Sequence, residues 1–249
     1  MIKIGCSGWS YNHWVGIFYP EETKKKDYFS YYSKYFDTVE INSTFYRLPF
    51  RNFVLGWAKK APKGFLYAIK VNRKITHLKR LRNVEEDLEN FLERLDPLKK
   101  EELLGPLLFQ LPPGLHFDLE LLESFLSSLP DGYRFAIEFR HKSWLREEVF
   151  TVLERYKLAF CIVSSPKLPN IVKVTANFSY IRMHGKKRWY DYFYSDEELR
   201  NWAEIVSKIH DEGCDVFMYF NNDPNAYAVR NALKMKELLS LDCSNNFIV

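Results

Sequence analysis

The sequence predicts an α/β protein built as one (β/α)8 barrel over residues 1–249. Three observations predict it. Eight short apolar runs recur along the chain, segments of helical period separate most of them, and no Pro/Gly/Ser-rich linker divides the 249 residues. The runs are nearly continuous in hydrophobicity, which marks parallel strands covered on both faces. An open doubly wound sheet is the competing architecture, and it would normally carry a Gly-rich phosphate turn after its first strand. GCSGWSYNHW holds two glycines but no G-x-G-x-x-G.

Taken in order, the runs are residues 2–6, 38–41, 66–70, 107–110, 135–138, 159–163, 180–183 and 216–220. Helical period is plain after the third run, where Leu88, Phe91, Leu92 and Leu95 share a face. After the fourth, Leu119, Leu122, Phe125, Leu126 and Leu129 do the same. The clearest helix follows the seventh run: Ser195 and Glu198 form a capping-box pattern, Leu199, Trp202, Val206 and Ile209 fall on one side, and Gly213 ends it. SSPKLPNIVKVTANF, between the sixth and seventh runs, carries two prolines and no amphipathic period, so an irregular crossover is expected there.

Composition narrows the class. A chain with 47% hydrophobic residues is long enough to bury one large core. The start has no basic segment followed by an apolar one, and no run of 18 apolar residues occurs, so a cytoplasmic protein with no membrane partner is expected. Cys6, Cys161, Cys214 and Cys243 show no CxxC spacing, which argues against a zinc ribbon or a disulfide framework. The net charge of +4 permits an anionic ligand without demanding nucleic acid.

In a barrel of this kind chemistry sits where the strands end and the βα loops begin. Those ends carry Ser7, Trp9 and Tyr11; Glu40 and Asn42; Lys70, Arg73 and His77; Gln110; Glu138, Arg140 and His141; Ser164 and Ser165; Arg182 and His184; and Asn221, Asn222 and Asp223. Strand side chains alternate between faces, so Glu40 with Asn42, Glu138 with Arg140, and Arg182 with His184 each project to one side. If that side is the interior, they converge on one cavity. A structural ring of ion pairs at the mouth is the alternative. Cations outnumber carboxylates there, and arginine forks suit phosphate or carboxylate oxygens. Two aromatic stretches, GWSYNHWVGIFYP and RWYDYFY, overhang the same mouth. Trp14 and Phe18 are expected to pack, while Trp9, Tyr11, Trp189 and Tyr190 are candidates for stacking on a ligand.

With these residues in place, the chain resembles the YecE-like family, a domain of unknown function. The resemblance runs in order through GCSGWSYNHWVGIFYP, EINSTFY, KVNRKITH, LLFQLPP, EFRHKSW, YIRMHG and YFNNDPNAYAVRNA and so covers nearly the whole chain. It implies a TIM-type barrel similar to the xylose-isomerase and endonuclease IV class, with the polar strand ends forming its pocket. Glu40, Asn42, Lys70, Arg73, His77, Gln110, Glu138, Arg140, His141, Arg182, His184, Asn221 and Asn222 all fall on matched motifs. One departure concerns the aspartate that commonly precedes Ser-Pro after the sixth strand in this family, since this chain has Ser164 there.

Three functions compete. The leading one is an enzyme, without metal or cofactor, doing acid/base chemistry on an anionic small molecule, phosphorylated or nucleotide-like. Its catalytic groups are Glu138, His184, Lys70 and Glu40, with Lys70 more readily an anion ligand than a Schiff-base nucleophile. The second is a metal-dependent phosphodiesterase or isomerase using His77, His141, His184, Glu40, Glu138 and Asp223. Four cations in the same ring and the lack of HxH or HExxH spacing oppose it. The third is a non-enzymatic nucleic-acid-binding module. ETKKKD and HLKRLR lend it support, though both runs also suit solvated helix faces.

Overall fold

The structure is a computed structural model that describes residues 1–240, so Cys243 lies outside the described residues. Eight parallel strands form the sheet: β1 Ile2–Cys6, β2 Thr38–Ile41, β3 Leu66–Lys70, β4 Leu104–Gln110, β5 Phe135–Glu138, β6 Ala159–Ser164, β7 Phe178–Met183 and β8 Asp215–Phe220. All eight predicted runs are strands. They differ from the sequence reading only at the ends of β4, β6, β7 and β8, where one to three further residues join the ladder.

Around this sheet lie α1 (Tyr28–Tyr32), α2 (Ser43–Tyr46), α3 (Arg51–Lys60), α4 (Glu85–Lys100), α5 (Leu119–Ser127), α6 (Glu147–Arg155), α7 (Asp196–Asp211) and α8 (Tyr227–Leu238). In α4 the predicted apolar stripe is the buried face, and α7 begins with the reciprocal capping box of Ser195 and Glu198. The β6–β7 connection holds no helix among the described residues, in keeping with its two prolines.

The hydrogen-bonded order is β1-β8-β7-β6-β5-β4-β3-β2, which brings the first and last strands together and wraps the sheet into a nearly closed barrel. β1 and β2 lie side by side without a ladder. A tyrosine takes the ladder's place. The Tyr32 hydroxyl, carried by α1, accepts from the Cys6 amide at 2.9 Å and donates to the Thr38 carbonyl at 2.9 Å. Gly5 permits this approach, because a Cβ at that position would collide with the Thr38 carbonyl oxygen.

Strand parity sends one set of side chains into the barrel, and their depth along the strands divides them into two levels. Ala68, Leu108, Ala136, Cys161, Tyr180, Phe217 and Tyr219 make an apolar plug inside the barrel. Above it, at the C-terminal ends, the inward positions are Ser7, Glu40, Lys70, Gln110, Glu138 and Arg182, all buried. The plug excludes water beneath these polar groups, so each must find its partners within the protein.

Candidate functional site

Arg182 is the centre of the polar layer. Its Nη1 donates to Glu138 Oε2 at 2.6 Å and its Nη2 to Glu40 Oε1 at 2.7 Å, with 1% of Arg182 and none of either glutamate exposed. Glu40 Oε1 also accepts from Ser7 Oγ at 2.7 Å and Asn42 Nδ2 at 3.0 Å, and Oε2 accepts from the Tyr180 hydroxyl at 2.7 Å. Burial pushes the Glu40 carboxyl up, but Arg182, Ser7 and Tyr180 outweigh it and hold the group below its ordinary value.

Glu138 is held in the same way. Gln110 Nε2 donates to both of its oxygens, at 3.2 and 3.1 Å, and Arg140 Nε pairs with Oε1. Burial works against the charge, yet Arg140 and Arg182 keep this carboxyl well below the usual range. Both carboxylates are thus ionised and saturated. Neither can take a proton from a ligand without first releasing an arginine.

The titratable groups that remain are nitrogen bases. Lys70 Nζ donates to Gln110 Oε1 at 2.8 Å and stands 3.9 Å from the centroid of the Phe45 ring. Among the described residues it has no carboxylate in ion-pair contact. Burial, then the charge of Arg182, pushes its pKa down to about 7. His77 is lowered to about 4 by burial and by Lys70 and Arg140. His184, wholly buried, is lowered to about 4 by burial and by Arg182. Its Nε2 lies 3.2 Å from Arg140 Nη2, and a guanidinium can only donate, so Nε2 carries the lone pair. Its Nδ1 lies 3.3 Å from the Asn221 side-chain nitrogen.

A cavity of about 280 Å³ opens above this layer, and His77, Gln110, Arg140, Lys167, Trp189 and Tyr190 are among the residues that line it. Arg140, one of these lining residues, has its guanidinium carbon 4.6 Å from the Trp189 ring centroid. The aromatic loop after β7 is anchored by the Gly185 amide, which donates to the Tyr194 hydroxyl at 2.9 Å, and by the Tyr190 amide, which donates to the His184 carbonyl at 2.6 Å. Gly185 adopts φ +108°, and a Cβ there would strike the Arg188 carbonyl oxygen. A larger hollow beside Met1, Lys99 and Arg134, at the opposite end of the barrel, holds none of the strand-end residues.

The sequence-predicted residues therefore fall into three groups. Ser7, Glu40, Asn42, Lys70, Gln110, Glu138, Arg140, Arg182, His184 and Asn221 form one bonded network, with His77 beside it and exposed Arg73 on the same loop as His77. Tyr11 borders it, donating to the Ser7 carbonyl at 2.5 Å and packing on Trp14. Trp9, His141 and Asn222 turn away. Trp9 packs edge-on against Phe29 of α1, His141 bonds Ser143 Oγ and stacks on His116, and Asn222 ties the Tyr192 carbonyl to Asn231 of α8. His141 and Asn222 each follow an inward residue, so strand alternation points them outward. Arg182, expected to receive an anion, is sealed beneath the cavity with its guanidinium between two carboxylates.

Asp223 also lies apart, bound by Trp14 Nε1 at 2.7 Å and His13 Nε2 at 2.9 Å. Among the described residues no three His, Cys, Asp or Glu side chains are grouped so as to hold a metal ion. No helix among those residues is long and apolar enough to cross a membrane. The sequence reading did not include Tyr180, Phe45 and Lys167. Tyr180 shares the parity of Arg182 and His184 and was legible on that ground, whereas Phe45 lies in the four-residue α2, too short to show a period, and Lys167 lies in the irregular β6–β7 connection.

Comparison with known proteins finds a match between residues 3–246 and the family described as "Protein of unknown function DUF72". The chain is 27% identical to the UPF0759 protein YunF of Bacillus subtilis, over 98% of this chain and 96% of that protein. It is 34% identical to the UPF0759 protein YecE of Escherichia coli over 57% of this chain and 49% of that protein. Among solved structures, a DUF72 family protein of Thermotoga maritima superposes with a TM-score of 0.87 at 33% identity, covering 96% of this chain and 99% of the other. One from Enterococcus faecalis gives 0.86 at 24% identity, covering 100% of both chains.

Proposed function

Because the chain belongs to the DUF72 family, whose solved relatives share its barrel, we propose that its activity resides at the strand ends, as acid/base chemistry on a small anionic molecule. One observation carries this reading. Lys70 is an amine buried among an aromatic ring, an amide and two arginines, with no carboxylate in contact, while every carboxylate beneath the cavity is already committed to an arginine.

Such a lysine is neutral in a large fraction of molecules near pH 7, where an ordinary one is not, and a neutral amine can accept a proton. It is bonded to Gln110, a residue of the cavity wall. Arg140, stacked on Trp189, and the exposed Lys167 supply positive charge around the space where the anion would sit. His77 and His184, neutral in this field, offer lone pairs or N–H donors without adding charge. In this reading Glu40 and Glu138 are not proton carriers. They position Arg182 and Arg140, whose charges add to burial in lowering the Lys70 pKa, while the carboxylates' own charges oppose that shift.

The experiment is solvent-deuterium incorporation followed by proton NMR, using a panel of phosphorylated and carboxylated carbonyl compounds in D2O. Exchange in the parent protein and its loss in Lys70→Met support the proposal. Exchange that persists in Lys70→Met removes Lys70 from the chemistry. No exchange with any panel member, together with no phosphate binding in calorimetry, overturns the reading.

A further inference from the structure

From Ile41 to Val84 the chain contains no aspartate or glutamate, yet it holds eleven of the 36 lysines and arginines. The remaining residues carry 25 basic against 32 acidic side chains. The modest net charge of +4 thus conceals a strongly basic segment in an otherwise acidic protein. This segment runs from the end of β2 through α2, α3 and β3 to the turn of π-helix at Lys74–Leu78. Its charges differ in their partners. Asp87 binds Lys74 and Lys79, and Asp118 binds Arg82, but among the described residues Arg47, Arg51, Arg73 and Arg80 have no ion-pair partner.

The same segment exposes large apolar side chains. Tyr46 is 70% exposed, Phe53 64% and Leu78 68%, with Phe50 only slightly less open. The Phe50 and Phe53 rings are 6.0 Å apart. The loops after β2 and β3 form one surface, since Asn72 Nδ2 donates to the Thr44 carbonyl at 2.9 Å and the Phe45 ring meets His77 edge-on at 4.8 Å. Tyr46 and Leu78 are the next residues along the chain from that contact.

We propose that the face built by this basic segment binds single-stranded nucleic acid. Unpaired arginines supply forks for backbone phosphates, and exposed rings supply the platforms on which unpaired bases stack. A duplex would hide its bases from those rings, and a flat anionic bilayer would not follow the surface into the cavity that His77 lines. The inference does not rest on the chemistry of the cavity.

Fluorescence anisotropy with a labelled single-stranded oligonucleotide of mixed sequence tests it. If four arginines each meet a phosphate, raising salt from about 50 to about 200 mM should lower the affinity roughly 50-fold. Phe50→Ala/Phe53→Ala and Arg47→Glu/Arg51→Glu, all at exposed positions, should each weaken binding about tenfold or more, with circular dichroism confirming the fold. Lys70→Met should leave binding unchanged. The proposal falls if the oligonucleotide does not bind, or if both face variants bind like the parent. It falls also if binding disappears in Lys70→Met alone, or if the protein binds only phosphatidylcholine vesicles containing phosphatidylserine.

Discussion

Arg182 and Glu138 meet through Nη1 and Oε2 at 2.6 Å, and neither side chain is more than 1% exposed. The guanidinium's other amine goes to Glu40, so one cation bridges two carboxylates held above an apolar plug, with Arg140 the second cation on Glu138. Removing one member of a buried ionic group strands the charge of the others.

Arg182→Ala should accordingly destabilise the protein by about 3 to 5 kcal/mol, the usual cost of leaving a buried charge unpaired. Arg182→Lys should recover only part of this, because one ammonium cannot reproduce a fork that reaches both Glu40 and Glu138. Urea denaturation near neutral pH measures both variants. An Arg182→Ala protein as stable as the parent would mean that the two carboxylates find other partners.

Lys70 should behave in the opposite sense. Its folded pKa of about 7 lies below the ordinary 10.5, so between these values the unfolded chain holds a proton that the folded chain has released. Stability therefore rises with pH across that window, and below it the folded state carries the full penalty of a buried charge. Lys70→Met, which keeps the length and removes the charge, should be more stable than the parent by about 2 to 4 kcal/mol near pH 6. The difference should shrink as pH approaches 10.5. Denaturation curves at several pH values give the comparison.

His184 sets the acid side. Its folded pKa of about 4 is below the ordinary 6.5, so on acidification the unfolded chain gains a proton that the folded ring refuses. Stability should fall as pH drops from 6.5 toward 4, by about 3 kcal/mol from this group. His77 adds to the fall in the same direction. His184→Gln should flatten the curve in this window, and equilibrium unfolding between these pH values is the check.

Anion affinity should depend on Arg140, not Arg182. Inorganic phosphate should bind in the cavity, and Arg140→Ala should weaken it by about 1.5 to 3 kcal/mol, the range for a hydrogen bond to a charged group. Calorimetric titration of phosphate, and of zinc or manganese into chelator-treated protein, distinguishes an anion site from a metal site. Tight metal binding with no phosphate affinity would favour the metal-dependent alternative.

The fold was legible because strands buried on both faces appear in sequence as apolar runs, and the loops between them carry recognisable caps and periods. Parity then brought Glu40, Glu138, Arg140, Arg182 and His184 to one side. Depth was not legible. Arg182 lies within β7, level with Val163 of β6, whereas Arg140 stands two residues beyond the end of β5, and this offset separates a sealed cation from one that faces the cavity. Depth follows from strand stagger, which a list of runs does not contain. Trp9 was misleading for a related reason, since past Cys6 the alternation stops and the ring packs on α1.

The phenol between β1 and β2 has a mechanical consequence. Seven hydrogen-bonded ladders join the eight described strands, and at the eighth junction Tyr32 acts as the clasp of a split ring. Ser7 stands just past one lip of the split and Glu40 on the other, and they are joined at 2.7 Å. Any widening of the ring would pull first on the carboxylate that grips Arg182, and through Arg182 on Glu138 across the barrel. The clasp on the wall and the charges in the mouth therefore move as one linkage, and α1, far from the cavity in sequence, holds its handle.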